Sequence, residues 1–361
     1  MTTLTHLECA LCNRRWETGM AQTVCSCGGP LLARYDLTLA RESWNREWVA
    51  NGPLTQWRYL PVLPARRPNA IVSLGEGLTP LVRLARAVDE GGPGELWIKD
   101  EGANPAHTVA AREFSCLLSL CAEFGVSRVE ATLAPGDATA LAAYSARSGL
   151  QSRIRLPRGA PSAIYLSCRA YGAEVVTEAA ESAGWFNASD FQEPYRIEGA
   201  KTLGYELAEQ FRWSLPEVIV CPEDGDLLSV ALWKAIAELG ELGWIAPQKP
   251  RLYLVKKDEP APAARLAVSA SGGAVVTIER EVERETALEI AAAEGVLLSP
   301  AGAAAVAAAR RLRSSGLVQP QERTVAINPA SGLLFAEFYA VRFPRNEASE
   351  ADKLGGLITP R

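Results

Sequence analysis

The stretch Leu96-Trp-Ile-Lys-Asp-Glu-Gly-Ala-Asn-Pro105, with the residues that follow it, decides the fold class of this chain. Leu96–Lys99 is a short apolar run of the kind that forms a buried strand. A stripe of apolar residues at helical spacing then runs from Ala110 to Cys121. Thr108 precedes the stripe as a candidate N-cap, and Gly125 follows it as a candidate C-terminal cap. A strand, a loop and a helix in this order predict one unit of an α/β fold.

The same alternation of strands and helices continues along most of the chain. The further candidate strands are Arg128–Leu133, Ser152–Leu156, Glu174–Thr177, Glu217–Cys221, Arg251–Val255, Ala274–Thr277 and Thr324–Asn328. A second clear helix, Ala301–Leu312, is opened by Pro300. Strands separated by helices predict doubly wound parallel sheets with helices on both faces.

Composition excludes several classes of function. The 361 residues are 48% hydrophobic, enough to bury the core of one large or two modest domains. The net charge is −5 and there is no basic stripe, so nucleic acid is not an expected partner. No apolar run reaches the roughly 18 residues of a membrane span, and the N-terminus lacks a signal core. We therefore expect a cytoplasmic protein with reduced thiols.

Four cysteines near the N-terminus form a candidate metal site: Cys9, Cys12, Cys25 and Cys27. Two short cysteine pairs, the second followed by two glycines that let the backbone turn around a metal, are typical of a zinc ribbon. The second pair is C-x-C rather than the usual C-x-x-C. The alternative is therefore a ribbon-shaped cap whose thiols no longer hold metal. Either way we expect a structural role, because a closed four-ligand site leaves no open position.

Several segments resemble the threonine synthase family. They are Ser73-Leu-Gly-Glu-Gly-Leu-Thr-Pro-Leu81, Leu96–Pro105, Ala142–Gly149, Tyr195–Glu206 and Ser299-Pro-Ala301. The resemblance covers nearly the whole chain and implies fold-type II of the pyridoxal phosphate (PLP) enzymes, the fold of the tryptophan synthase beta subunit. This fold has two α/β lobes around a cleft. The resemblance also implies domain boundaries: a ribbon module at 1–34, a large lobe at 35–104 plus 200–345, a small lobe at 105–199 and a tail at 346–361.

The lysine that holds PLP in that family is replaced. The family motif reads Asn-Pro-Thr-Gly-Ser-Phe-Lys-Asp-Arg, whereas the matching segment here is Asn104-Pro-Ala-His-Thr-Val-Ala-Ala-Arg112, which puts Ala110 at the lysine position. A methyl group can neither form the aldimine nor move the protons of the substrate. Lys99 and Lys201 lie in matching segments but elsewhere in the family's motifs, and we expect the other five lysines on the surface. The alternative is a Schiff-base lysine relocated to another position. His107 is a candidate base or ligand, with a plain surface residue as the alternative.

The resemblance implies that the phosphate-binding loop is altered as well. The family has a glycine- and asparagine-rich loop after the strand that corresponds to Glu217–Cys221. Here the loop consists of Glu223, Asp224, Gly225, Asp226 and Leu227 after Pro222. One carboxylate about 4 Å from a phosphate charge costs about 4 kcal/mol at an effective dielectric of 20. The alternative is that these acids point to solvent.

Two more elements depart from the family. Its substrate loop, Ser-Thr-Gly-Asn, aligns with Leu133, Ala134, Pro135 and Gly136, which are followed by Asp137. The hydroxyl that contacts the pyridine nitrogen aligns with Pro329, and Ser331 is a candidate replacement. If the family geometry holds, Asp137 and the acidic loop face one cleft from opposite lobes. There they would hold a divalent cation or a cationic small molecule, or remain solvated.

We therefore predict a threonine synthase-like protein without PLP catalysis, retained for binding, regulation or scaffolding. A second copy of the chain or an active paralogue is the expected partner. One alternative is an enzyme with new, PLP-independent chemistry in the same cleft. The other is an active threonine synthase that converts O-phosphohomoserine to threonine.

Overall fold

The computed structural model describes residues 1–86, 95–178, 181–222 and 225–343. Its N-terminal module is an antiparallel sheet of three strands in the order β2-β1-β3. The strands are β1 (Leu4–Cys9), β2 (Arg15–Trp16) and β3 (Leu31–Tyr35). Short helices connect the module to the lobes: α1 (Leu37–Ser43), α2 (Arg46–Ala50) and the 3₁₀ helices Gln56–Val62 and Pro68–Ala70. The predicted tail at 346–361 lies outside the described residues.

The chain next contributes two strands to a large sheet and then builds a smaller one. The elements are β4 (Leu81–Arg83), β5 (Leu96–Asp100), 3₁₀ turns at Glu101–Ala103 and Pro105–His107, and α3 (Ala110–Phe124). They are followed by β6 (Arg128–Thr132), α4 (Pro135–Ser148), β7 (Gln151–Arg155), α5 (Ser162–Ala170), β8 (Glu174–Val176) and β9 (Phe186–Asn187). The last four strands form a parallel sheet in the order β8-β7-β6-β9, and α3, α4 and α5 share its apolar core.

The chain then returns to complete the large sheet. The remaining elements are α6 (Tyr195–Ala200), α7 (Thr202–Gln210), β10 (Val218–Cys221), α8 (Asp226–Glu241), β11 (Arg251–Val255), α9 (Pro262–Ala270), β12 (Val275–Val276), α10 (Arg280–Glu294), α11 (Pro300–Ser314), β13 (Thr324–Asn328), the 3₁₀ helix Gly332–Phe335 and α12 (Ala336–Ala340). The six strands lie in the order β12-β11-β10-β13-β5-β4, and only β4 is antiparallel to its neighbour. The start of α3 lies beside the carboxyl end of β13, where Thr108 forms an isolated bridge with Ala330.

The large sheet is buried on both faces, as predicted for a doubly wound sheet. Alternate residues of a strand point to opposite faces. In β10, Val218 and Val220 join the core under α10 and α11, whereas Ile219 and Cys221 join the core under α8 and α9. Strands with two buried faces need near-continuous apolar runs, which is why they could be predicted.

The four-stranded sheet differs from that prediction. Val129, Ala131 and Ile154 pack under the helices. The opposite face carries Glu130 and Arg153 with other polar side chains, and no helix of the described chain covers it. The physical reason is the alternation of polar and apolar residues in these strands, which is typical of a sheet with one solvated face.

The predicted strands and helix ends agree with the structure to within one or two residues. Gly125 ends α3 in the left-handed conformation, with φ of 72°. Ser299 caps α11 by accepting a hydrogen bond from Gly302, with Pro300 at the first helical position. The predicted N-cap of α3 was wrong by one residue. Val109 is the N-cap, and Thr108 Oγ1 instead accepts a bond from the N–H of Ala110 at 3.3 Å.

The prediction that Lys234 lies on the surface was also wrong. Its side chain is 6% exposed and contacts the carboxylates of Glu198 and Glu238, which also bind Lys201. A buried ammonium is stable there because two carboxylates surround it. None of the helices in the described ranges has the length and apolar character of a membrane span.

Candidate functional site

A buried cluster of charges surrounds Arg112 near the start of α3. Arg112, on the first turn of α3, binds Glu101 at 2.7 Å and Glu206 at 2.9 Å, and all three side chains are fully buried. Lys99 of β5 donates to the same Glu206. Burial opposes ionisation of Glu206, but Arg112 and Lys99 hold its pKa well below the usual value. The cluster therefore ties β5, α3 and α7 together.

The start of α3 packs directly against the loop after β13. The N–H of Val109 donates to the carbonyl of Pro329 at 2.7 Å, and the N–H of Ser331 donates to the carbonyl of His107 at 3.0 Å. Ala110 is the first residue of α3 and is fully buried. Its methyl group faces the core of the small lobe. The first turn of the helix therefore offers no amine at the position where the sequence comparison placed one in the related family.

A small cavity lies between the lobes at this point. Its volume is about 40 Å³, which is room for about three water molecules. The predicted site residues that line it are Ala134, Gly136, Asp137, Gly225, Leu227 and Pro329. The structure thus brings the substrate-loop segment and part of the phosphate-loop segment together. Leu133 instead packs in the small-lobe core.

Arg196 lines the cavity and lies among three carboxylates there. Its guanidinium contacts Glu113 at 2.6 Å, Asp190 at 2.6 Å and Asp137 at 3.3 Å. It also lies 4.6 Å from the centre of the Phe114 ring. Burial works against its charge, but the carboxylates raise the pKa of Arg196 above its ordinary value. Arg196 therefore stays charged in the cleft.

Our sequence reasoning missed Arg196, Glu113 and Asp190 as residues of the cleft. Glu113 did carry a signal, because it sits among apolar residues of the α3 stripe and is 3% exposed. A charged residue at such a position needs a partner of opposite charge. The identity of that partner could not be read from the sequence, since Arg196 follows more than eighty residues later.

Several predicted site residues lie outside the cavity. Asp226 is the first residue of α8, and its carboxylate binds Lys256 at 3.1 Å and the N–H of Ala261. The predicted meeting of Asp226 with Asp137 across the cleft was therefore wrong. Glu223 and Asp224 lie outside the described residues.

The two polar candidates next to the start of α3 also lie outside the cavity lining. His107 is exposed and has a left-handed backbone with φ of 62°. Ser331 uses its hydroxyl to accept a bond from the N–H of Leu333. Neither side chain is placed to act in the cleft.

The four N-terminal cysteines come together as predicted. The sulfur of Cys27 lies 3.5 Å from those of Cys9 and Cys12, and the sulfurs of Cys12 and Cys25 are 3.6 Å apart. A tetrahedral zinc with Zn–S bonds of about 2.3 Å needs sulfurs about 3.8 Å apart, so the thiols fit this ion. The backbone N–H of Cys27 lowers the pKa of Cys25 to about 6. The backbone N–H of Gly29 acts in the opposite direction, but the neighbouring thiols raise the pKa of Cys27 to about 12, so the four sulfurs would not all be thiolates without a metal.

Gly29 shows how tightly the chain folds around this cysteine cluster. A Cβ at this position would lie 2.7 Å from the sulfur of Cys9. Only glycine lets the backbone pass so close to the thiol. The two glycines after the second cysteine pair are thus part of the predicted ribbon.

Comparison with known proteins agrees with this geometry. Residues 72–330 match the family model described as "Pyridoxal-phosphate dependent enzyme". Threonine synthase of Methanocaldococcus jannaschii is 28% identical over an alignment that covers 90% of this chain and 92% of that protein. Threonine synthase of Methanosarcina acetivorans is 25% identical, with coverage of 89% and 90%. A crystal structure of O-ureido-L-serine synthase, a lysine-to-alanine mutant with O-ureido-L-serine bound, matches with a TM-score of 0.64 at 19% identity, over 79% of this chain and 97% of that one.

Two α/β lobes around a cleft at the carboxyl ends of parallel strands define the fold-type II class. The chain belongs to the family of PLP-dependent enzymes. Within that family its sequence is threonine synthase-like. The predicted resemblance and fold class are thereby confirmed. The predicted domain boundaries remain predictions.

Proposed function

We propose that this chain is a threonine synthase-like protein that does not catalyse PLP chemistry and acts instead as a binding or regulatory protein. The observation that carries the proposal is Ala110, buried at the family's lysine position beside a cavity of about 40 Å³. Arg196 and its carboxylates line that cavity.

The residues present do not fit PLP. Pockets that hold small ligands usually have volumes of about 300 Å³ or more, several times the space between these lobes. PLP also acts through an amine that forms a Schiff base with its aldehyde. The three carboxylates around Arg196 outnumber its single positive charge and would repel a phosphate. Pro329 has no hydroxyl for the pyridine nitrogen of the cofactor.

The nearest lysines of the family segments do not replace the missing amine. Lys99 is fully buried, where it donates to Glu206 and to the carbonyl of Thr79. Lys201 is likewise fully buried, between Glu198 and Glu238. Both ammonium groups are held by carboxylates, and neither residue lines the cavity. This supports the view that the whole site, and not a single residue, has changed.

The direct test is the visible absorption spectrum of the purified protein with added PLP. An active threonine synthase prepared in parallel serves as the positive control. We expect no aldimine band from this chain, and no PLP adduct after borohydride reduction and peptide mass spectrometry. A borohydride-fixed adduct on any lysine would overturn the proposal. Rescue of a threonine auxotroph would do the same and favour the active-enzyme alternative.

The proposal includes a cytoplasmic location and a protein partner, either a second copy or an active paralogue. Four reduced cysteines in the apolar cores, among them Cys116 and Cys221, support a reducing compartment. Light scattering on the full chain tests self-association, and co-purification with a tagged paralogue tests the second kind of partner. A monomer that binds no paralogue would remove the partner from the proposal.

A further inference from the structure

The uncovered face of the four-stranded sheet contains a second pocket, separate from the cleft. Its volume is about 160 Å³, and it shares no lining residue with the cavity at Arg196. The floor is formed by side chains of β6 and β7, and the wall by Ser182, Asn187 and Ser189. By comparison with the volume that one water occupies, the pocket has room for on the order of ten non-hydrogen atoms.

Arg153 holds the wall of this pocket in place. Its guanidinium binds Glu174 at 3.0 Å and Glu130 at 3.5 Å, and donates to the carbonyl of Glu181 at 2.8 Å. The ring of Trp185 stacks 4.2 Å from it. The two glutamates therefore neutralise the charge of Arg153. Its contacts with Glu181 and Trp185 hold the segment 181–185 against the sheet.

Arg155 is different, because it has no carboxylate partner among the described residues. Its Nε and Nη2 donate to Thr132 Oγ1 at 2.8 and 2.5 Å, which leaves Nη1 as a free donor. The hydroxyl of Ser189 accepts from the N–H of Thr132 at 2.9 Å. The hydroxyl hydrogens of Thr132 and Ser189 have no acceptor in the described part of the chain. Three unused donors thus meet at the carboxyl ends of β6 and β7, where ligands of parallel sheets commonly bind.

The pocket also contains negative charge, which selects the class of ligand. Glu130 and Glu178 line it together with Arg153 and Arg155, so the charges of the lining cancel. A dianion would be attracted by Arg155 but repelled by both carboxylates, whose charges Arg153 and Arg158 offset only in part. A zwitterion satisfies both signs, since its carboxylate can pair with a guanidinium and its ammonium with a glutamate. Glu130 lies diagonally across from Arg155 on the same face, a spacing of about 7 Å between backbones.

We propose that this pocket binds a small zwitterionic metabolite of the α-amino acid class, with its carboxylate on Arg155 and its ammonium toward Glu130. The proposal does not rest on the function suggested for the cleft. A protein that binds PLP could carry the same pocket, and failure of either proposal leaves the other intact.

The test is calorimetric titration of the full-length chain with the standard L-amino acids, preceded by a thermal-shift screen at about 10 mM of each. Acetate and inorganic phosphate form separate arms. We expect saturable binding of at least one amino acid, weakened about tenfold or more by Arg155→Ala because a charge-assisted hydrogen bond is lost. Thr132→Val should also weaken binding, because it removes the hydroxyl that orients Arg155.

Arg128→Ala is the matched control. This arginine lies at the start of β6, is exposed and does not line the pocket. Its loss should leave the affinity unchanged. The proposal is overturned if no amino acid binds, if binding survives both Arg155→Ala and Thr132→Val, or if acetate or phosphate binds as tightly as any amino acid.

Discussion

Arg196 Nη2 lies 2.6 Å from Glu113 Oε2, with both side chains removed from solvent. The pair joins α6 to α3 beside the cavity between the lobes. A buried pair of this kind adds little net stability compared with apolar packing, but losing one partner leaves a buried charge unpaired. The contact between α3 and α6 therefore includes an ion pair that is costly to break from one side only.

Arg196→Ala should destabilise the protein by about 3–5 kcal/mol, because Glu113 is left buried without its cation. Arg158→Ala is the matched control, since this arginine pairs with Glu178 in an exposed bridge and should cost less than about 1 kcal/mol. Urea denaturation of both variants measures the difference. Equal stability losses would show that the pair at Arg196 is as solvated as the surface one.

Glu193→Gln should flatten the pH dependence of stability. Burial raises the pKa of Glu193 from about 4.5 to about 7. Between these values the folded state holds a proton that the unfolded state has released, so the free energy of unfolding falls as pH rises. The slope is up to about 1.4 kcal/mol per pH unit, and it disappears above pH 7.

The amide introduced by Glu193→Gln would be neutral at every pH, yet its oxygen could still accept from the N–H groups of Tyr195 and Arg196, as Glu193 does. Urea denaturation at pH 5, 6, 7 and 8 gives the profiles. Glu123→Gln is the control, since Glu123 also accepts two backbone N–H bonds but is only partly buried. Parallel profiles for the wild type and Glu193→Gln would contradict the prediction.

Zinc should bind at about one ion per chain and stabilise the N-terminal module. Cys12→Ser and Cys27→Ser should each reduce the zinc content measured by mass spectrometry and lower the unfolding temperature. Cys168→Ala is the control, because this thiol is buried in the small-lobe core, away from the cluster. If protein grown with added zinc contains none, and EDTA leaves its unfolding temperature unchanged, the ribbon-shaped cap without metal is the correct interpretation.

Ala110→Lys should not restore a PLP site. The Ala110 side chain is fully buried in the small-lobe core, so a lysine there would overpack the core or bury an ammonium without a carboxylate. We expect a loss of about 2 kcal/mol or more and no aldimine band with added PLP. An Ala110→Lys variant that shows the band and threonine synthase activity would mean that only one residue of the site had been lost.

The fold could be predicted because its signals are local. The apolar runs of β10 and β13 and the cap at Gly125 depend on neighbouring residues, as does the spacing of the cysteines. The charge cluster at the cavity could not be predicted in this way, because Glu113, Asp137, Asp190 and Arg196 meet only after folding. The sequence alone does not show which of its charged residues form ion pairs in the folded interior.

Asp226 shows the same limit for a residue that the alignment wrongly placed in the cleft. The alignment placed it on the phosphate loop, facing the cleft. As the first residue of α8, it is rotated toward Lys256 on the next strand–helix connection. The rotation of a side chain about a helix start depends on such tertiary partners, which an alignment does not contain.

Gly199→Ala should be among the most damaging single-methyl changes in the chain. A Cβ at Gly199 would lie 2.1 Å from the carbonyl oxygen of Arg112, which belongs to the backbone of α3 and cannot move aside as a side chain can. Helix α6 would have to shift away from α3, which would strain the Arg196–Glu113 pair. We expect the free energy of unfolding to fall by about 3 kcal/mol.

Gly240→Ala is the matched control, because a Cβ there meets nothing within 4 Å inside α8. That change should be neutral or stabilising by up to about 1 kcal/mol, since alanine is the better helix former. Urea denaturation compares the two variants. Similar stabilities would mean that α3 and α6 do not pack as closely as the structure has them.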